Sequence, residues 1–200
     1  MSKMKYFNDV KQLADELMIR KVCSKKFLIG IDGFLGAGKT RLADNLLKIL
    51  DTNCVNVIDI DDEEKNYYPR NKGSITKNID FIKLKNDIIN IQTSVIFSSA
   101  CLMQILEKIG ISLDVYVYIK RMAKYYKNAP DIWLDEDDCT FMGDVNEWEE
   151  HEISKALKLN NQINPFDVKK QLLLTKEVIQ YHQKYQPYKN PEYFYSRYEE

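Results

Sequence analysis

Apolar positions along the chain fall into two alternating periodicities. Val10, Leu13, Ala14, Leu17 and Met18 recur at helical spacing and predict an amphipathic helix. Phe27-Leu28-Ile29-Gly30-Ile31-Asp32 is instead a short apolar run entering a glycine-rich turn, which predicts a buried strand. Beyond the turn, Leu42, Ala43, Leu46, Leu47 and Leu50 return to helical spacing, and Val55, Val57, Ile58 and Ile60 form a second strand. The cycle then repeats. Phe81, Leu84, Ile88 and Ile91 predict a helix, Ser94-Val95-Ile96-Phe97-Ser98 a third strand, Leu102, Ile105, Leu106 and Ile109 a helix, and Asp114-Val115-Tyr116-Val117-Tyr118-Ile119 a fourth strand. Strands alternating with helices in this order predict an α/β fold of three layers, a mostly parallel central sheet covered by helices.

Two stretches depart from the cycle. Residues 61–78 are polar and irregular, with Pro69 and Gly73 as breakers, and form the expected exposed active-site segment. Residues 121–165 read as a mostly polar helical region interrupted near Pro130, a candidate lid. Leu172, Leu173, Val178 and Ile179 then place a helix in residues 166–200, ahead of a tail holding six of the thirteen tyrosines. Tyr116 and Tyr118 share one strand face and are expected to pack, and His182 is expected to have a surface or packing role. His151 sits among Glu147, Glu149, Glu150 and Glu152, but no second histidine supports a metal site.

Two hundred residues suit a single domain spanning 1–200 with a core large enough to need no staple. Lysine and arginine number 29 against 30 acidic residues, so no bulk charge draws the chain to nucleic acid or to an anionic membrane. No apolar run approaches the length of a membrane span and no early stretch has the pattern of a signal peptide. Cys23, Cys54, Cys101 and Cys139 lie dozens of residues apart, which predicts reduced thiols and a cytoplasmic setting.

Glycine changes the picture. The chain has seven, and four of them lie between positions 30 and 38. There Gly33-Phe34-Leu35-Gly36-Ala37-Gly38-Lys39-Thr40 matches the phosphate-loop pattern in full, between a predicted strand and a predicted helix. That context aims unpaired backbone N–H groups at a bound phosphate. Lys39 is placed to reach the β and γ phosphates and the Thr40 hydroxyl to contact magnesium, so the expected cofactors are ATP or GTP with Mg2+.

A phosphate loop does not choose the phosphate acceptor. Asp59, Asp61 and Asp62 follow the second strand, at the carboxyl rim where open α/β sheets bind ligands. Transfer to a small molecule needs one carboxylate to orient or deprotonate a hydroxyl and another to position magnesium. Asp61 is the first candidate for the hydroxyl, followed by Asp62, which is also the metal candidate; Asp59 is alternatively buried at the strand end, and the whole run reads equally as a solvated acidic segment. Arg121, just past the fourth strand, is a candidate for stabilising the transferring phosphoryl group, with Lys124 and Lys127 following at helical spacing. Arg70 is a candidate substrate contact in the polar loop.

These residues together resemble the uridine kinase family, particularly its bacterial uridine kinase-like members. The likeness runs through Ile29-Gly30-Ile31-Asp32-Gly33 and the phosphate loop to Ile60-Asp61-Asp62 and Tyr68-Pro69-Arg70. It resumes at Glu177-Val178-Ile179-Gln180-Tyr181-His182, Tyr185-Gln186-Pro187 and Tyr193-Phe194, and is weakest over 121–165. The resemblance implies magnesium-dependent transfer from ATP or GTP to a hydroxyl of a nucleoside or related molecule. Within it Asp61 resembles the catalytic carboxylate, Arg121 a lid arginine, and Asp61, Tyr68 and Arg70 substrate contacts. Two departures stand out: Phe97-Ser98-Ser99 replaces an acidic residue and glycine at the end of the third strand, and Glu63-Glu64 replaces aromatic or histidine positions. Two other readings stay open: a nucleotide-binding regulatory or interaction protein without transfer, and a P-loop ATPase or GTPase whose acceptor is water. The sequence leaves a homo-oligomer undetermined.

Overall fold

A computed structural model of the chain describes residues 4–20, 22, 25–50, 53–60, 67, 74–126, 129–135, 143–159, 164–189 and 191–198. Among them the chain runs β1 (Lys5–Phe7), α1 (Val10–Ile19), β2 (Leu28–Gly33), α2 (Lys39–Leu50), β3 (Val55–Asp59), α3 (Ile75–Asn78), α4 (Phe81–Asn90), β4 (Ser94–Ser98), α5 (Leu102–Ile109), β5 (Val115–Tyr126), β6 (Ala129–Asp135), α6 (Val145–Leu159), α7 (Pro165–Tyr185) and β7 (Tyr193–Tyr198). The sheet order is β1-β7-β5-β2-β4-β3, all parallel, and β6 adds to β5 antiparallel.

Alternation along the central strands builds a core on each face. On β2, Leu28 packs with Leu84, Ile105 and Val178, whereas Ile29 and Ile31 pack with Leu13, Leu17, Leu42 and Leu46. Helices α4, α5 and α7 therefore cover one face and α1 and α2 the other, the three-layer α/β arrangement expected from the alternating pattern. Local chemistry sets the helix ends. Asp9 and Asp80 cap α1 and α4 by accepting from backbone N–H groups of Lys11 and Lys83, and Pro165 opens α7 behind the Asn164 cap.

The polar stretch 121–165 is corrected in its first part. Residues 121–126 continue β5 as strand and return as β6, with Met122 beside Asp135 and Lys124 beside Trp133 in the register. Tyr125, Tyr126, Ile132 and Trp133 favour strand, and Pro130 is tolerated because β6 is an edge. Among the described residues of this stretch, helix begins at Val145, as α6. The tyrosine tail also contains a strand: β7 inserts between β1 and β5, pairing Tyr193 with both Lys5 and Val117. The expectation of four reduced thiols is likewise corrected, because Cys54 is disulfide-bonded. Cys101 is a free buried thiol.

Candidate functional site: a phosphate loop at the sheet's switch point

Strand β2 has β4 on one side and β5 on the other, so the connections leaving the sheet part at its carboxyl end. That crevice is where open α/β sheets bind ligands. Gly33 ends β2 there, residues 34–38 form the loop, and Lys39 and Thr40 open α2. The Ala37 N–H donates to the Phe34 carbonyl at 3.2 Å and the Leu42 N–H to the Gly38 carbonyl at 2.9 Å, so the loop is a single turn fed into the helix. Gly36 and Gly38 take φ of +75° and +98°, backbone that residues with a Cβ rarely adopt. Phe34 and Ala37 are buried and anchor the loop, while Gly36 and Thr40 face outward. The Lys39 ammonium donates to the carbonyls of Gly33 and Phe34 at 3.0 and 2.8 Å, lying across the turn it serves.

Thr40 and Asp59 meet. The Thr40 hydroxyl donates to the Asp59 carboxylate at 2.6 Å, which places the partly buried end of β3 beside the first turn of α2. Asp59 pairs in register with Ser98 at the end of β4, and the Ser98 hydroxyl is buried with no hydrogen-bond partner. The acidic residue missing from the end of β4 is thus supplied one strand over. A hydroxyl, a carboxylate and an unsatisfied buried hydroxyl are hard oxygen donors of the kind magnesium takes, with water completing its shell. Among the described residues no group of three or more His, Cys, Asp or Glu side chains gathers to hold a metal.

Arginine approaches the loop from the opposite side. Arg121 lies within β5, rather than on a helical lid, and pairs in register with Arg197 of β7. Val117 and Ile119 of β5 and Tyr193 of β7 face the α1–α2 layer, so alternation puts both guanidinium groups on the phosphate-loop face. A Cβ added to Gly36 would lie 3.4 Å from Nη1 of Arg121, and one added to Gly38 would overlap the guanidinium of Arg197. Lys124 is also on β5, so its helical pairing with Lys127 does not arise; Lys127 lies outside the described residues.

Two cavities open on the loop. One of about 210 Å³ is lined by Gly36, Lys39 and Thr40 together with Ile75, Ser99, Ala100 and Leu174. The other, about 640 Å³, lies on the arginine side between Arg41, Asn45, Tyr195 and Arg197.

Beneath the loop is a buried polar network. Asp32 is fully buried and accepts from the Gly33 N–H at 2.8 Å, from the Tyr116 hydroxyl at 2.9 Å and from the Tyr181 hydroxyl. Burial pushes its carboxyl up to about 6, against the opposing pull of those donors and of the Lys39 charge. Tyr116 and Tyr181 are raised by the same burial and by the neighbouring carboxylate. His182 is buried beside them. Its Nδ1 lies 2.8 Å from the Val178 carbonyl and its Nε2 3.1 Å from the Tyr118 hydroxyl, and burial lowers it to about 4. His182 packs against Phe34 with ring centroids 5.4 Å apart and planes tilted by 58°, so it supports the loop by packing, as expected, and Tyr118 packs with it.

A second support holds α3. The Glu177 carboxylate accepts from the Ser74 hydroxyl, from the N–H groups of Ile75 and Thr76, and from the Thr76 hydroxyl. This fixes the helix whose Ile75 walls the smaller cavity. Asp61, Asp62, Tyr68 and Arg70 lie outside the described residues. Sequence reading missed Asp59 as a partner of Thr40; Asp32 and Glu177 entered only within the strings that carry the family resemblance, and Arg197 was weighed only as one of the chain's five arginines.

The described strands, helices and loop define an α/β P-loop kinase-like fold. No protein-family model and no curated protein sequence matches the chain. Among solved structures, it is similar over 93% of its length to one described as a "Possible Uridine Kinase from Bacillus stearothermophilus", at 13% identity and a TM-score of 0.52, covering 96% of that chain. It is also similar to one described as a "putative fructose transport system kinase from Silicibacter sp. TM1040", at 10% identity and a TM-score of 0.49, covering 93% of this chain and 98% of the other. The first of these likenesses bears on the fold.

Proposed function

We propose that the protein is a small-molecule kinase that moves the γ-phosphoryl group of ATP or GTP to a hydroxyl of a nucleoside or related compound. The observation that carries this reading is the cavity over the loop. Gly36, Lys39 and Thr40 line it together with Ile75, Ser99, Ala100 and Leu174. Apolar side chains beside the transferring group keep water from it and favour a bound acceptor over hydrolysis. Magnesium, when bound, neutralises charge developing on the phosphate oxygens, and Thr40, Asp59 and Ser98 are the residues that would hold it. Lys39, Arg121 and Arg197 supply fixed positive charge around the same group.

Asp61 is proposed to orient the accepting hydroxyl and take its proton. Asp62 is a further candidate for magnesium, and Tyr68 and Arg70 for the acceptor. Asp61→Asn is expected to preserve nucleotide binding while lowering transfer by at least about 100-fold, the scale of a lost general base. Titration with a fluorescent nucleotide beside a coupled turnover assay checks it; unchanged turnover removes Asp61 from the catalytic role.

A further inference from the structure

We infer that the cleft between α3, α5, α6 and α7 is a second small-molecule site, taking an anionic polyol of the sugar-phosphate type. The cleft is a cavity of about 430 Å³ that shares no lining residue with either cavity on the phosphate loop. That volume suits a small ligand.

Glu149 of α6 carries the argument. It is 4% exposed, in a helix where its neighbours Glu147 and Glu150 face solvent. One carboxylate oxygen, Oε2, is held by Lys176 at 3.0 Å and approached by Lys169 at 3.5 Å. The other, Oε1, is buried and has no hydrogen-bond partner. An unsatisfied buried carboxylate oxygen is costly, and a donor supplied from the cavity removes that cost. A ligand hydroxyl is such a donor.

The rest of the lining sets the ligand's charge. Four lysines, 77, 169, 176 and 184, face two carboxylates, those of Glu149 and Glu177. Glu177 is already occupied by its donors from residues 74–76, and Glu149 by Lys169 and Lys176. The exposed ammonium groups of Lys77 and Lys184 enter no ion pair among the described residues, so positive charge is in excess at the mouth. Gln104 and Gln180 add amide groups able to donate and accept. A buried acceptor, two amides and a cationic mouth match a molecule with hydroxyls at one end and a phosphate at the other. The site stands whether or not the phosphate loop transfers phosphate.

The test is amide chemical-shift mapping on the 15N-labelled full chain, with the phosphate loop occupied by a non-hydrolysable ATP analogue and magnesium. Ribose 5-phosphate and glycerol 3-phosphate are titrated beside ribose and inorganic phosphate. Saturable shifts at Thr76, Gln104 and Gln180 with either phosphorylated polyol are expected, with affinity at least about tenfold above ribose or inorganic phosphate, the scale of a charge-assisted contact. Glu149→Gln and, independently, the exposed substitution Lys77→Glu should each weaken that binding about tenfold or more. Lys77→Glu should do so with an unchanged melting temperature. Shifts confined to residues 36–40, no saturable shift with either phosphorylated polyol, or an affinity untouched by both substitutions would overturn the proposal; a Glu149 oxygen satisfied by water alone gives the second of these results.

Discussion

Residues 28–59 and residues 165–198 meet at one cleft but are built by different means. In the first region the strand, glycine turn, helix and next strand follow one another directly, and Lys39, Thr40 and Asp59 are brought together over a short span of chain. In the second region every contribution to the cleft is long-range. Tyr181 reaches Asp32 across 149 positions, Glu177 holds Ile75 from 102 positions away, and Arg197 arrives on a strand that has crossed the molecule to lie beside β5. The nucleotide end is a local motif, whereas its support and the charges of Arg121 and Arg197 depend on the chain having folded. Chemistry should therefore fail when the first region is changed, and stability and affinity should fail when the second is.

The largest effect is expected in the first region. Lys39→Met should lower phosphoryl transfer by about 100- to 1,000-fold, the cost of losing a donor at developing charge, while the melting temperature stays within a degree or so. A variant that unfolds instead would show that Lys39 serves the loop's structure through Gly33 and Phe34 more than it serves the phosphate. In the second region, Glu177→Ala leaves two backbone N–H groups at the start of α3 without their acceptor. Urea denaturation should show a loss of about 2–3 kcal/mol. A loss below about 0.5 kcal/mol would mean that water replaces the carboxylate and that α3 does not depend on α7.

Arg197→Ala should weaken nucleotide binding about tenfold, or about 1.4 kcal/mol, and leave urea stability nearly unchanged. Arg20→Ala provides the comparison, because Arg20 pairs with Glu192 at 2.5 Å away from the loop and should leave nucleotide affinity alone. Equal effects from both would place Arg197 outside the nucleotide site.

In the parent protein the smallest effect is the net slope of stability with pH. Asp32 sits at about 6 in the folded chain against an ordinary 3.8, so the folded state holds more protons between these values. Its contribution to stability is present below that window and is lost as pH rises through 6. His182 runs the other way. At about 4 against an ordinary 6.5, it leaves the folded state with fewer protons, so stability rises as pH climbs through that interval. The opposed slopes, each at most about 1.4 kcal/mol per pH unit, nearly cancel in the parent protein. Asp32→Asn should uncover a stability that rises from pH 4 to 6, and His182→Gln one that falls. Parallel profiles for the two variants would refute the assignment.

Legibility follows the same division. The four central strands, the helices between them and the phosphate loop are written in short windows whose periodicity or motif is complete in itself, so their order was readable. Strand β5 was legible only to Ile119, because Lys120, Arg121 and Lys124 dilute the apolar pattern just where the strand leaves the covered sheet and pairs with β6. Strand β7 was hidden by composition. Tyr193, Phe194, Tyr195 and Tyr198 are aromatic on both faces, so no alternation of apolar and polar residues marks it, although Tyr193 is buried and Tyr198 exposed. Asp59 looked like the buried end of a strand, and its contact with Thr40 depends on β3 lying next to β4, a fact of sheet order and not of sequence spacing. Asp32 and Glu177 stood within the strings that carry the family resemblance, but no role was readable for them because their partners lie far away along the chain.

The most direct test of the central claim follows γ-labelled ATP and γ-labelled GTP, each with magnesium, through a panel of nucleosides and sugars, counting label on the small molecule and label released as phosphate. Label is expected on a hydroxyl of at least one acceptor, with little phosphate released in its absence, and both signals are expected to be lost in Lys39→Met. Label appearing as free phosphate at the same rate with and without every acceptor would contradict that claim and make water the acceptor.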